Sequence, residues 1–402
     1  MIYMDNAATT KLSAEALEAM LPFLKNSYGN PGAIYDLGLE ARRAVAGARE
    51  AIARTIGAHP SEIYFTGGGT EADNWAIQSA AGSAMSFAGL HMITTSFEHH
   101  AVLNTCRWLE KFGCGVSYVN PDASGYVEAG EIERQIRNDT SLVSVMLVNN
   151  ELGTVQPVTD VGKAAHDRGI MFHVDAVAAY GHIPIDVNAM NIDMMSVSAH
   201  KFGGPKGAGF LYVNEKYKPV PLIHGGAQEQ GRRGGTENVA GIAGMAAAAL
   251  REHRNMDVNL KKRHKLDRYF INRLNEYNLS VTHEGLKPAE GRGWIYLNGM
   301  CRKDMPLVTA CAEDEERDRL PGIFSLTVSG MNAEELIVRL GMEGICISAG
   351  AACASSDTGG SHVLKALGLG DREIGSSVRI SMNEDNTEEE IDNFFKALKS
   401  LL

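Results

Sequence analysis

Several kinds of protein are excluded by what this chain lacks. Its most apolar run, residues 240–250, is far shorter than the roughly 20 residues a bilayer-spanning helix needs. Basic residues are outnumbered, and the formal net charge of −11 argues against a nucleic-acid or anionic-membrane surface. The opening Met1-Ile-Tyr-Met-Asp5 holds neither a basic stretch nor a long apolar one, so no signal peptide is expected and the location expected by default is cytoplasmic. None of the six cysteines (Cys106, Cys114, Cys301, Cys311, Cys346, Cys353) forms a CxxC pair, which favours reduced thiols over a disulfide framework. The His99-His100 pair has no Cys, His or carboxylate companions at ligand spacing, so no intrinsic metal is expected. There is no internal repeat and no low-complexity tract.

What is present is an ordinary globular balance, 44% hydrophobic and 22% charged, in 402 residues, enough for two domains. Helix and strand signals alternate. Ser13 caps a helical run over 14–24, and a long Ala- and Arg-rich helix over 40–56 ends at Gly57. Strands are expected at 62–66, 91–94, 116–119, 142–148, 171–174, 194–198 and 209–213, with helices such as 71–81, 101–112 and 161–168 between them. That alternation predicts an α/β fold, a mostly parallel sheet with helices on both faces. A helical run over 239–274 is the expected bridge into a second domain.

In such sheets chemistry gathers at strand ends. The stretch Ser196-Val-Ser-Ala-His-Lys-Phe-Gly-Gly-Pro-Lys-Gly207 puts Lys201 at one, beside Ser198 and His200. Lysine loses its proton readily on burial, so this position suits a Schiff base with a carbonyl cofactor. By itself the stretch also describes a surface lysine in a turn. Thr66-Gly-Gly-Gly-Thr-Glu-Ala-Asp73 opens a helix with glycines, a cradle for an anion to which Thr70 adds a hydroxyl. It lacks the P-loop ending and the dinucleotide spacing, so a phosphate monoester fits better than a triphosphate, and a plain tight turn fits as well. Asp175, ending an apolar strand, suits a pyridinium nitrogen or a helix cap. A histidine in Phe97-Glu-His-His100 can stack on a flat cofactor and move protons, or be structural. Cys353, among the small residues of Ser348-Ala-Gly-Ala-Ala-Cys-Ala-Ser-Ser356, is a candidate nucleophile, whereas Cys346 reads as a buried small hydrophobe. Arg379 offers a fork for a carboxylate or for a salt bridge.

Over nearly its whole length the chain resembles the NifS-like cysteine desulfurases, fold-type I pyridoxal phosphate enzymes of the class V aminotransferase kind. The marks are Tyr3-Met-Asp-Asn-Ala-Ala-Thr-Thr10, Asn149-Asn-Glu-Leu-Gly-Thr-Val-Gln-Pro157, His200-Lys-Phe-Gly-Gly-Pro-Lys206, Gly231-Arg-Arg-Gly-Gly-Thr-Glu-Asn238 and Ser348-Ala-Gly-Ala-Ala-Cys353. The resemblance implies a large domain over 13–255 and a smaller α+β domain over 256–402, with 1–12 packed on the latter. It implies Lys201 as the Schiff-base lysine of pyridoxal 5'-phosphate, Asp175 at the ring nitrogen and His99 stacked on the ring. Gly69, Thr70, Ser198 and His200 would hold the phosphate. Thr236 would reach the phosphate of a partner subunit, making a homodimer. Asn150 and Arg379 would face the ring oxygen and the substrate carboxylate, and Cys353 would take sulfur as a persulfide. The implied reaction turns L-cysteine into L-alanine and passes sulfur to an acceptor, such as an Fe–S scaffold or a thiolation factor. Cys353 could also share a cluster ligand with such a scaffold.

The chain departs from the family's pattern in places. Ala178 stands where the family has a glutamine that hydrogen-bonds the ring oxygen, and Gly67 and Gly234 stand where it has serines. Gly32-Ala-Ile-Tyr35 replaces serines and a histidine, and an acidic segment over 301–319 is extra. Substrate preference therefore stays open to a selenocysteine lyase or another aminotransferase-like enzyme. A non-catalytic sulfur-relay protein is the remaining class.

Overall fold

Apolar residues occupy both parities of the central strands, so each strand must be covered on both faces. Ile63, Phe65, Ile93, Val143, Met195, Phe210 and Tyr212 belong to one buried core, and Tyr64, Met92, Leu142, Met194, Leu211 and Val213 to another. The computed structural model describes residues 1–80, 87–276, 295–299, 319–350 and 360–402.

The chain opens with β1 (Ile2–Tyr3), α1 (Ala14–Lys25), α2 (Asp36–Thr55), β2 (Ile63–Thr66), α3 (Gly69–Ser79), β3 (His91–Thr95), α4 (His100–Glu110) and β4 (Gly115–Val119). It continues through α5 (Ala129–Arg134), β5 (Thr140–Ser144), α6 (Val158–His166), β6 (Met171–Asp175), β7 (Met194–Ser198), β8 (Gly209–Val213) and the short α7 (Gln228–Gly231). A seven-stranded sheet runs β2-β8-β7-β6-β5-β3-β4. Its strands are parallel except β8, which lies antiparallel to β2 and β7. This is the expected mostly parallel sheet.

The strand expected over 142–148 is shorter on one side, its pairing with β3 ending at Ser144 opposite Thr94. Residues 145–147 still bond to β6, and Val148 then bridges Val155 around a turn that carries Asn149 and Asn150. Ser13 caps α1 as expected, its Oγ accepting from Ala16 N. Four helices start earlier than expected, α2 at Asp36, α3 at Gly69, α4 at His100 and α6 at Val158.

Helix α8 (Val239–Glu276) spans residue 255 unbroken. Its first half gives Ile242, Met245 and Ala249 to the core of the large sheet, and its second half gives Leu266, Phe270 and Leu274 to a further core. That core underlies a four-stranded sheet made by β9 (Ile295–Leu297), β10 (Ile323–Val328), β12 (Ser348–Ala349) and β13 (Ser377–Ser381). On it pack α9 (Ala333–Met342) and α12 (Glu388–Leu401), whereas α10 (His362–Ala366) and α11 (Asp371–Ile374) give Val363, Leu364 and Ile374 to the core of the large sheet, and β11 (Ile345–Cys346) pairs with β1. Cys106 and Cys114 are buried and Cys346 is half-buried, all three as free thiols. Among the described residues no helix is long and apolar enough to cross a membrane.

Candidate active site

Parallel strands end at one edge of a sheet, and here the ends of β2, β3, β6 and β7 bring Gly69, His99, Asp175 and Lys201 to it. After β2 the chain turns through Gly68, whose φ of +150° favours glycine, into the first turn of α3. A Cβ on Gly69 would lie 2.5 Å from Val177 Cγ2, so only glycine fits against that side chain. Unpaired helix N–H groups here open on a cavity of about 870 Å³ lined by Gly67–Thr70, Ser198, His200, Ala8 and Thr9. The structure thus joins Gly69, Thr70, Ser198 and His200 in one cradle. Glu71 at its rim accepts from Gly67 N and pairs with Arg233 at 2.8 Å.

Lys201 sits half-buried in a single 3-10 turn after β7. Its Nζ donates to the carbonyls of Ala7 (2.5 Å) and Ala8 (3.1 Å). Ala8 lines the cradle, and Ala7 lines a second cavity of about 310 Å³ shared with Ala178, His182 and Lys201 itself. The ammonium is therefore held at the wall between the two. Thr10 clasps the same turn, its N and Oγ1 donating to His200 O while its Oγ1 accepts from Gly203 N.

Asp175 is buried and accepts from Val177 N at 2.8 Å. Burial lifts its carboxyl to about 6, against the Val177 bond and the Lys201 charge that hold it down. His99 caps α4 by accepting from Ala101 N at Nδ1, so the neutral ring carries its proton on Nε2. Burial, then the nearby Lys201 charge, depress it to about 4. His200 is depressed to about 4 for the same two reasons.

Arg379 is buried on β13, across the site from these groups. Its Nη1 donates to Asn150 O (3.0 Å), its Nη2 to Asp5 Oδ1 (3.0 Å) and Ser348 Oγ (3.0 Å), and its Nε has no acceptor among the described residues. Asn150 joins the site through its backbone as well as its place in the turn. Thr236 is exposed in the loop after Arg233 and lines neither cavity. Cys353 lies outside the described residues. Sequence reasoning missed Asp5, the Ala7 and Ala8 carbonyls, His182 and the buried Glu98. The Tyr3–Thr10 motif was the one signal for Asp5, Ala7 and Ala8, and it suggested a family rather than a contact.

The aminotransferase class-V family matches residues 2–293 and 303–394. The chain is a NifS-like member of that family. A cysteine desulfurase IscS of Methanosarcina thermophila is 41% identical over 401 residues, spanning all of this chain and 92% of the relative. That of Dictyoglomus turgidum is 40% identical over 401 residues, spanning 94% of the relative. Among solved structures, a NifS-like protein superposes with a TM-score of 0.86 at 34% identity, covering all of this chain and 98% of the other. A structure of SspA in complex with cysteine superposes at 0.78 with 36% identity, covering 96% and 100%. This member of the family therefore carries its fold-type I architecture.

Proposed function

We propose that the chain is a pyridoxal phosphate-dependent cysteine desulfurase. The observation that carries this is the single edge where a phosphate cradle, a buried acid and a strand-end lysine meet. The donor set fits the cofactor: a glycine-walled helix start with Ser198 and His200 for its phosphate, Asp175 for a protonated ring nitrogen, and Lys201 to hold it covalently. When bound, the cofactor supplies an electron sink for the substrate's Cα. Asp175 supplies a negative charge where burial excludes water. The Nε2 proton of His99 and the amine of Lys201 are the proton-carrying groups beside it. Arg379 orients the substrate carboxylate through its Nε, unpaired among the described residues, and the Nη2 now shared with Asp5. Asn150 faces the ring oxygen in this reading.

The thiolate of Cys353 takes the substrate's sulfur atom. The substrate C–S bond breaks, an S–S bond forms, and L-alanine leaves. Residues 13–255 then carry the cofactor, and 256–402, with 1–12 packed on them, carry Cys353. Cys353 has to start each turnover as a free thiol, which a reducing compartment maintains, and this supports a cytoplasmic location. Its acceptor is a protein thiol on an Fe–S scaffold or thiolation factor. The test measures sulfide and alanine together from L-cysteine and a dithiol reductant, in wild type and Cys353→Ser. Equal amounts are expected from wild type and no sulfide from the mutant, because a serine hydroxyl is a far poorer sulfur nucleophile. Alanine without sulfide from the wild type, or normal sulfide from Cys353→Ser, refutes the reading.

A further inference from the structure

The direction in which Lys201 projects is set by the backbone of its one-turn helix, Ala199–Lys201. His182 reaches the outer side of that turn. Its Nε2 lies 2.9 Å from Lys201 O, and its Nδ1 lies 2.9 Å from Arg263 Nη1. A guanidinium can only donate, so Nδ1 must accept. The ring is then neutral, and its one proton sits on Nε2 and bonds the Lys201 carbonyl. Arg263 is itself buried on α8 and fixed from the other side, its Nε and Nη2 both donating to Glu384 Oε2 at 2.9 and 2.5 Å. Glu384 follows β13 of the smaller sheet.

The charged groups facing His182 are Arg263, Glu384 and Lys201. Burial first, then the Arg263 charge, holds the ring down to about 3, so its tautomer does not change across the working pH range.

We propose that His182 is a positioning residue for Lys201, set by Arg263 and Glu384, so that the seat of the smaller sheet is transmitted to the backbone of the cofactor-holding lysine. This rests on the reading that Lys201 holds the cofactor. A ring that only filled space would need neither a fixed tautomer nor partners on α8 and the lysine turn at once.

The experiment compares cofactor-loaded wild type with His182→Leu, His182→Gln and Glu384→Gln. Leucine keeps the bulk and removes both bonds. Glutamine keeps one donor and one acceptor. The readouts are the pH midpoint of the cofactor's visible absorption and its dissociation constant by equilibrium dialysis, with thermal unfolding of the apo-proteins as the measure of mere structural damage. His182→Leu is expected to move the midpoint by about one pH unit and weaken cofactor binding about tenfold. His182→Gln is expected to stay within about twofold of wild type, the cost of one altered hydrogen-bond geometry. Glu384→Gln is expected to move the midpoint the same way, and it serves as the test should His182→Leu not fold. A wild-type midpoint and affinity in His182→Leu or in Glu384→Gln, with only the melting temperature lowered, overturn the proposal. A wild-type protein that takes up no absorbing cofactor overturns the reading of Lys201 itself, and this inference with it.

Discussion

Lys201 gives its ammonium protons to the carbonyls of Ala7 and Ala8, so the segment before α1 is part of the site rather than a tail. Lys201 and Asp175 were legible as candidates because each sits at a strand end, whereas His99 was singled out from His100 only by the resemblance. Their supports were not. Asp5 and Arg379 are 374 residues apart, and His182 and Arg263 are 81 apart, so no spacing rule joins them. Ala178 was legible as a departure, and the structure places it on the cavity that Lys201 also lines. Its methyl group offers no donor, so a negative ring oxygen nearby loses a stabilising partner. Ala178→Gln should therefore lower the pH midpoint of the cofactor's absorption, since a hydrogen bond to a charged form favours that form. Titration of both proteins checks this, and an unchanged or raised midpoint refutes it. Glu98 carries a second consequence. Its Oε1 accepts from Thr95 Oγ1 and Met146 N, its Oε2 has no partner among the described residues, and burial lifts the carboxyl to about 8. A raised carboxyl pKa means that the folded state binds the proton more tightly. The stability it gives is complete below the ordinary value and is lost as pH rises to about 8, at up to about 1.4 kcal/mol per pH unit. Glu98→Gln should flatten stability against pH across that window, as urea unfolding at three pH values would show.

Among the elements, α3 shows why boundaries escape sequence reading. Its predicted start at 71 rests on propensity, which counts Gly69 and Thr70 as loop. The helix begins at Gly69 because the glycine is needed for contact and not for flexibility: a Cβ there meets Val177 Cγ2 at 2.5 Å. Strands β6, β7 and β8 were legible to within a residue because apolar runs bounded by glycine and polar turns fix both ends. The end of β5 was not, since its pairing with β3 ends at Thr94–Ser144 although both chains run on. The Gly69 contact also makes a pairwise prediction. Gly69→Ala should push Val177, whose N–H holds Asp175, and cost about 1–3 kcal/mol of stability together with cofactor affinity. Val177→Ala removes the opposing methyl groups, so the double mutant should recover most of both losses. The coupling is read from a double-mutant cycle in unfolding and cofactor binding. Additive losses would show that the two side chains do not share this space.

For the whole molecule, the open question is the second subunit. Ile34, Tyr28, Leu24 and Tyr35 are exposed around the end of α1 and the start of α2, at 88%, 76%, 62% and 58%. Large apolar side chains left together in water are a cost that association removes. The loop carrying Thr236 leaves its own cradle at the Arg233–Glu71 pair and runs out exposed. A two-fold axis beside that rim would bring the partner's loop to the same cradle, because an isologous contact repeats each surface on both sides. We therefore expect a homodimer in which each site borrows Thr236 from the other chain. Sedimentation should give twice the chain mass, but mass alone does not show a shared site. Complementation does. Lys201→Ala removes the attachment point from its own site, and Thr236→Ala removes a hydroxyl only from its partner's. In a mixed dimer the site that keeps Lys201 receives its threonine from the Lys201→Ala chain, and so is wholly native. Co-expressed chains should thus contain sites with wild-type cofactor affinity that neither mutant shows alone. If the mixture binds cofactor only as weakly as Thr236→Ala by itself, Thr236 serves its own subunit, and the shared site is wrong even if the dimer stands.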